Sequence, residues 1–201
     1  MAKARMTVAR RRPGARKAEI LEVASDLFHR SGYSQVGMDD IGEAAGVTGP
    51  AIYSHFPSKT SLLAAIIERV ADELVGGADR IIAEAQSPED TLRQLVAHHV
   101  DFALRERALI AVYMREYLNL PRADQRRLRD SQHYYIDRWL ENLLRVHPDM
   151  KPDEALSLAH GVFNFIMSIS LYEPKLDRRS LRELLESRAT ALLLADNTNH
   201  G

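Results

Sequence analysis

Residues 38–59, MDDIGEAAGVTGPAIYSHFPSK, constrain the fold of this chain more than any other stretch. Met38, Ile41, Ala44 and Ala45 recur at helical spacing and give one apolar face. Gly46 ends that helix, as a residue tolerant of positive φ does at a C-terminus. Val47 is the turn hydrophobe. Thr48 or Gly49 can cap a second helix, and Pro50 is tolerated only in its first turn. Ala51, Ile52, Tyr53, His55 and Phe56 fill this second helix, and Pro57 closes it. Two short helices around a glycine turn predict a helix-turn-helix.

The rest of the chain is punctuated into helices as well. Ile20, Val23, Ala24, Leu27 and Phe28 predict a helix over residues 17–30, with Pro13-Gly14 breaking any helix before it. Ser58 caps a fourth helix whose stripe of Leu63, Ile67, Val70, Leu74, Ile81 and Ala85 runs to Ser87-Pro88. Gly76-Gly77 sits inside it, as a tolerated weakness of about 1 kcal/mol per glycine or as a kink. Five more helices are predicted, over residues 91–105, 108–120, 122–147, 153–172 and 180–195. No strand signal competes, so the fold class is all-α.

Charge divides the chain. The net charge of −1 conceals +3 on residues 1–59 and −4 on residues 60–201. Residues 1–17 carry Lys3, Arg5, Arg10, Arg11, Arg12, Arg16 and Lys17 and no acid. Beside a helix-turn-helix such a segment suits an arm on DNA phosphates or in the minor groove, against the plainer reading of a solubilising tail. With no cysteine, neither a disulfide nor a thiolate metal site is available. His98 and His99 point about 100° apart on a helix, so no metal and no cofactor are expected. There is no glycine-rich phosphate loop, His-Glu-x-x-His or nucleophile elbow, which argues against an enzyme. The N-terminus lacks the apolar stretch of a secretory signal. Residues 155–172, the longest run free of charge, include Ser157, His160, Asn164, Ser168 and Ser170, which suits a buried helix better than a membrane span. The expected location is the cytoplasm.

The run AGVTGPAIYSHFPSKTSLL resembles the signature of TetR-family transcriptional regulators: a small residue, Gly, Val and Thr, then Ile, Tyr-x-His-Phe, and Lys three residues beyond. With Ala24, Phe28, Gly32, Tyr33 and Ile41 the resemblance covers residues 16–63. Gly37 stands where Ser or Thr is typical, and Gly42 where Ala is. The resemblance implies a basic arm (1–15), a helix-turn-helix domain (16–60), a ligand-binding and dimerisation domain (61–196) and a tail (197–201). It implies a homodimer that binds palindromic double-stranded DNA, more often as a repressor. Tyr53, His55 and Lys59 match positions that clamp phosphates. Thr48, Gly49 and Pro50 sit near base edges, and Arg12 and Arg16 extend the contact.

Residues 155–172 and 181–193 carry apolar residues on more than one face, which suits a four-helix interface between two copies. Phe165, Ile169, Leu185 and Leu192 are its candidates. His99, Phe102, Tyr113, Tyr117, Tyr135, Trp139, Phe163 and Met167 are candidate contacts to a small-molecule effector in an apolar cavity. Arginines at 115, 122, 126, 127 and 129 suit an elongated apolar effector with an anionic end: an acyl or steroid acid, or its coenzyme A thioester. A cationic or aromatic drug-like effector would instead draw on Asp101, Glu116 or Asp137. An effector-free DNA-binding protein would have no cavity.

Overall fold

The computed structural model describes residues 13–195. Among them every regular element is helical. The chain divides into two compact units, Met1–Leu62 and Leu63–Gly201.

The first unit packs α1 (Pro13–Ser31), α2 (Met38–Ala44), α3 (Gly49–His55) and the first turn of α4 (Lys59–Glu84) around one core. Helix α1 begins four residues earlier than its periodicity suggests. Pro13 opens the helix instead of breaking it, because the first position loses no intrahelical bond to a missing N–H. Ile20, Ala24 and Phe28 of α1, Ile41 of α2 and Ile52 of α3 are all fully buried. Gly46 adopts φ +62° between α2 and α3, and the Val47 amide then closes on the Gly42 carbonyl at 2.8 Å. Gly37 cannot cap α2 with a side chain. The Asp40 carboxylate reaches back to the Gly37 N–H instead, at 2.7 Å.

In the second unit α4 is followed by α5 (Pro88–Arg105), α6 (Arg107–Glu116), a 3-10 turn (Tyr117–Asn119), α7 (Arg122–Val146), α8 (Pro152–Met167), a second 3-10 turn (Ser168–Ser170) and α9 (Arg178–Leu194). Helices α6 and α8 tighten into 3-10 turns where the sequence pattern predicts continuous α-helix. Helix α5 is central, packed on α7, α8 and α9, and buries Leu92, Leu95, Val96, His99, Val100, Phe102 and Ala103. Ser87 caps it through the Asp90 N–H, and Asp177 caps α9 through the Arg179 and Ser180 N–H groups. Among the described residues no helix is long and apolar enough to cross a membrane.

Gly76-Gly77 interrupts nothing, since α4 is helical throughout. Gly77 is the seat of the His98 imidazole, and a Cβ there would overlap three of its ring atoms. A Cβ on Gly76 would meet only Arg80 Nη1, at 3.8 Å. The two glycines therefore respond oppositely to alanine. Gly77→Ala is expected to cost about 1–3 kcal/mol by displacing the ring. Gly76→Ala should stabilise by about 0.5–1 kcal/mol through helix propensity. Denaturant unfolding of the two variants checks this, and equal responses would contradict the close-approach role.

Candidate functional site

Helix α3 turns Ile52 inward, with Phe56 just beyond its end, and leaves Thr48, Pro50, Tyr53 and Ser54 exposed. Gly49 and His55 are half-buried. Thr48 uses its carbonyl on the Ala51 and Ile52 amides, at 2.9 and 3.1 Å, and its hydroxyl makes no capping bond. Of the expected base-edge and phosphate residues on α3, Thr48, Pro50 and Tyr53 are thus exposed, and Gly49 and His55 are less so.

Lys59 makes its bonds within the first unit. Its ammonium donates to the carbonyls of Tyr33 at 2.8 Å, Val36 at 2.9 Å and Ser34 at 3.5 Å, and lies 4.5 Å over the Tyr33 ring. An ammonium has three N–H donors, and all three are engaged. Here Lys59 ties the loop between α1 and α2 to the start of α4. Arg16 is similarly occupied, donating to Glu19 at 3.0 Å and to the Ala45 carbonyl at 3.5 Å. Exposed Lys17, 5.7 Å over the Phe56 ring, is a cation beside α3. Arg12 and the rest of the basic arm to residue 12 lie outside the described residues.

The second unit holds a cavity of about 290 Å³. Ile67, Val70, Ala71, Leu74 and Val75 of α4 form one wall, and Leu128 and Ile136 of α7 another. Five of the expected contacts line it: His99, Tyr113, Tyr135, Phe163 and Met167. Exposed Gln132, His133, His160 and Asn164 border its opening. Three expected contacts do not line it. Phe102 is fully buried elsewhere in the core. Tyr117 donates its hydroxyl to the Gln125 carbonyl at 2.9 Å. Trp139 stands behind the wall, 4.7 Å from Phe163 and 6.0 Å from His99 between ring centroids. The α4 wall is what periodicity could not assign, because an aliphatic stripe reads the same against a core or a cavity.

Among the described residues no Lys, Arg, Asp or Glu lines the cavity. The arginines expected as an anionic anchor lie off it; Arg127 pairs with Glu68 at 3.2 Å. Asp101 pairs with Arg105 at 2.7 Å, and Glu116 accepts from Asn119. His99 Nδ1 is 3.0 Å from the Tyr135 hydroxyl, and its Nε2 is buried without a partner. Burial, with His98 beside it, lowers the His99 imidazole to about 3, so it is neutral. Burial likewise pushes the Tyr113 phenol up to about 12 and raises that of Tyr135. Among the described residues no group of three or more His, Asp or Glu is placed to hold a metal ion.

The expected dimer residues divide. Ile169 and Leu185 are 0% and 3% exposed inside this one chain, so neither has a side-chain surface left for a partner. Phe165 is half-buried. Leu192 is 49% exposed, and Leu156 and Leu184 join it at 36% and 41%.

The neutral state of His99 makes stability depend on pH. The unfolded chain binds the proton near pH 6.5, whereas the folded chain resists it down to about 3. Stability from this group is complete above pH 6.5 and falls as pH drops toward 3, by about 1.4 kcal/mol per pH unit. His98 is lowered too, first by burial and then by Arg80, and acts in the same direction. Unfolding free energy should therefore decline between pH 6.5 and 5, with a slope one proton smaller in His99→Gln. A flat profile would contradict the burial of a neutral imidazole.

Residues 20–66 match the family model described as bacterial regulatory proteins, tetR family. The HTH-type transcriptional activator FasR of Mycolicibacterium smegmatis is 37% identical over 87 residues, which cover 43% of this chain and 40% of FasR. The HTH-type transcriptional repressor KstR2 of Rhodococcus jostii is 30% identical over 105 residues, 52% of each chain. The chain thus spans about half the length, or less, of these curated relatives. AibR, solved in complex with isovaleryl coenzyme A and operator DNA, shares the fold with a TM-score of 0.73 at 19% identity, over 86% of this chain and 97% of AibR. The family match and the helix-turn-helix of the first unit fall on the same residues, so this part of the chain is similar to the DNA-binding region of tetR-family regulatory proteins.

Proposed function

We propose that the chain is a dimeric, DNA-binding transcriptional regulator, a repressor released by a small apolar effector, acting in the cytoplasm and without enzymatic activity. The observation that carries this reading is the cavity of about 290 Å³, with apolar walls and few polar groups, in a chain whose other unit is a helix-turn-helix. An effector-free DNA-binding protein has no use for such a space. A cationic drug would leave its charge unpaired, since among the described residues no carboxylate lines the walls.

Exposed Thr48, Pro50 and Tyr53 are the surface proposed to meet DNA, with Tyr53 on a phosphate. Exposed Leu156, Leu184 and Leu192 on α8 and α9 are proposed to meet a second copy. The effector class is an acyl or steroid-derived acid or its thioester. At roughly 30 Å³ per water-sized group the cavity takes about ten such groups, which favours an acyl chain over a whole coenzyme A conjugate. AibR, with its acyl thioester and operator DNA, supports the same class.

Selection from random duplexes should yield a palindrome with half-sites about 34–36 Å apart or a multiple of that. Tyr53→Ala should weaken binding about tenfold on every sequence, since a hydrogen bond to a charged phosphate is lost. Leu184→Arg with Leu192→Arg should sediment as a monomer and bind the palindrome poorly. Enrichment of no duplex would overturn the reading.

A further inference from the structure

His99, a lining residue of the cavity, carries a buried ring nitrogen that no other group of the protein meets. His99 is fully buried, donates or accepts at Nδ1 with Tyr135 at 3.0 Å, and has no partner at Nε2. Two arrangements are available to a neutral imidazole. If Nδ1–H donates to the phenol oxygen, both the Tyr135 O–H and the Nε2 lone pair are left unmet. If the Tyr135 O–H donates to Nδ1, only the Nε2–H is left unmet. The second leaves fewer buried polar groups without partners and is the lower in free energy. Nε2 then carries a hydrogen and can only donate. The ring is packed on three sides, with centroids 5.8 Å from Tyr135, 5.3 Å from Phe163 and 6.0 Å from Trp139.

We propose that the His99 Nε2–H is the polar anchor of the cavity and that it selects an uncharged carbonyl group, as in an ester, thioester or ketone, over a free carboxylate or an amine. The inference rests on the cavity being the effector site, and it chooses among the effector chemistries that reading allows. The walls supply the argument against charge. Among the described residues no cation lines the cavity to neutralise a carboxylate and no anion to neutralise an ammonium. A buried, unpaired charge costs far more than one neutral hydrogen bond returns. His99 cannot become the missing cation, because burial holds its imidazole at about 3. Tyr113, its phenol kept protonated by burial, is a second neutral donor on the wall. Neutral donors among aliphatic walls match an oxygen that only accepts. The exposed His133, His160, Gln132 and Asn164 leave a polar opening through which a handle beyond the carbonyl can stay in water.

The single tryptophan reports on this site, because Trp139 is fully buried against both His99 and Phe163. Trp139 emission of the full chain is titrated at pH 7.5 with methyl octanoate, octanoate and nonane. The expected result is half-saturation by the ester at least tenfold below octanoate. His99→Leu should weaken the ester about tenfold and leave nonane unchanged. Nitrogen-15 spectra of the wild-type imidazole should show a hydrogen on Nε2 and none on Nδ1, which decides the point even if His99→Leu fails to fold. Octanoate binding as well as the ester, or a hydrogen on Nδ1, overturns the proposal. So does a chain that responds to none of the three probes. The DNA selection does not depend on any of these outcomes, so failure here is separable from failure of the regulator reading.

Discussion

A neutral imidazole buried among three aromatic rings is the interaction on which the second unit depends. His99 comes from α5, Tyr135 and Trp139 from α7, and Phe163 from α8, so one cluster joins three helices. Each aromatic pair contributes about 0.5–1.5 kcal/mol beyond its burial, and burying the rings contributes more. Together they outweigh the surface ion pairs around Arg105, Arg182 and Glu73, which are part-exposed and worth little individually. The polar cost of the cluster lies in two buried atoms without a partner, His99 Nε2 and Trp139 Nε1, and His99 is a lining residue of the cavity.

The first unit answers a different demand. Its elements are short, with α2 and α3 seven residues each, so neither is stable alone. Their burial around Ile41 and Ile52 and the turn at Gly46 hold them at a set angle. Lys59 adds a second fixing point by satisfying carbonyls of the loop before α2, which would otherwise need water. An exposed face of Thr48, Pro50 and Tyr53 is left over once these requirements are met.

Much of this was legible in the sequence. Gly46, Pro50 and Pro57 bound the helix-turn-helix, and Ser87-Pro88, Pro121 and Pro152 bound later helices within a few residues of where they lie. Five cavity-lining residues could be named because aromatic and polar side chains stand out on aliphatic helices. Other features carry no such signal. A lysine looks the same whether its ammonium meets a phosphate or, like Lys59, three carbonyls. Periodicity assigns Ile169 and Leu185 to apolar faces but not to the side of the fold those faces meet. Gly77 reads as weakness until His98 is seen against it.

Release by an effector requires that the cavity and the surface proposed to meet DNA be energetically linked. A ligand shifts DNA affinity only if it binds the two functional states unequally, and the resulting coupling of about 1–3 kcal/mol is reciprocal. The direct measurement is anisotropy of the selected operator duplex recorded in the same cuvette as Trp139 emission while a cavity ligand is added. DNA affinity is expected to fall roughly 5- to 150-fold over the same ligand range that changes the emission. Saturation of the Trp139 signal with no change in DNA affinity would contradict it.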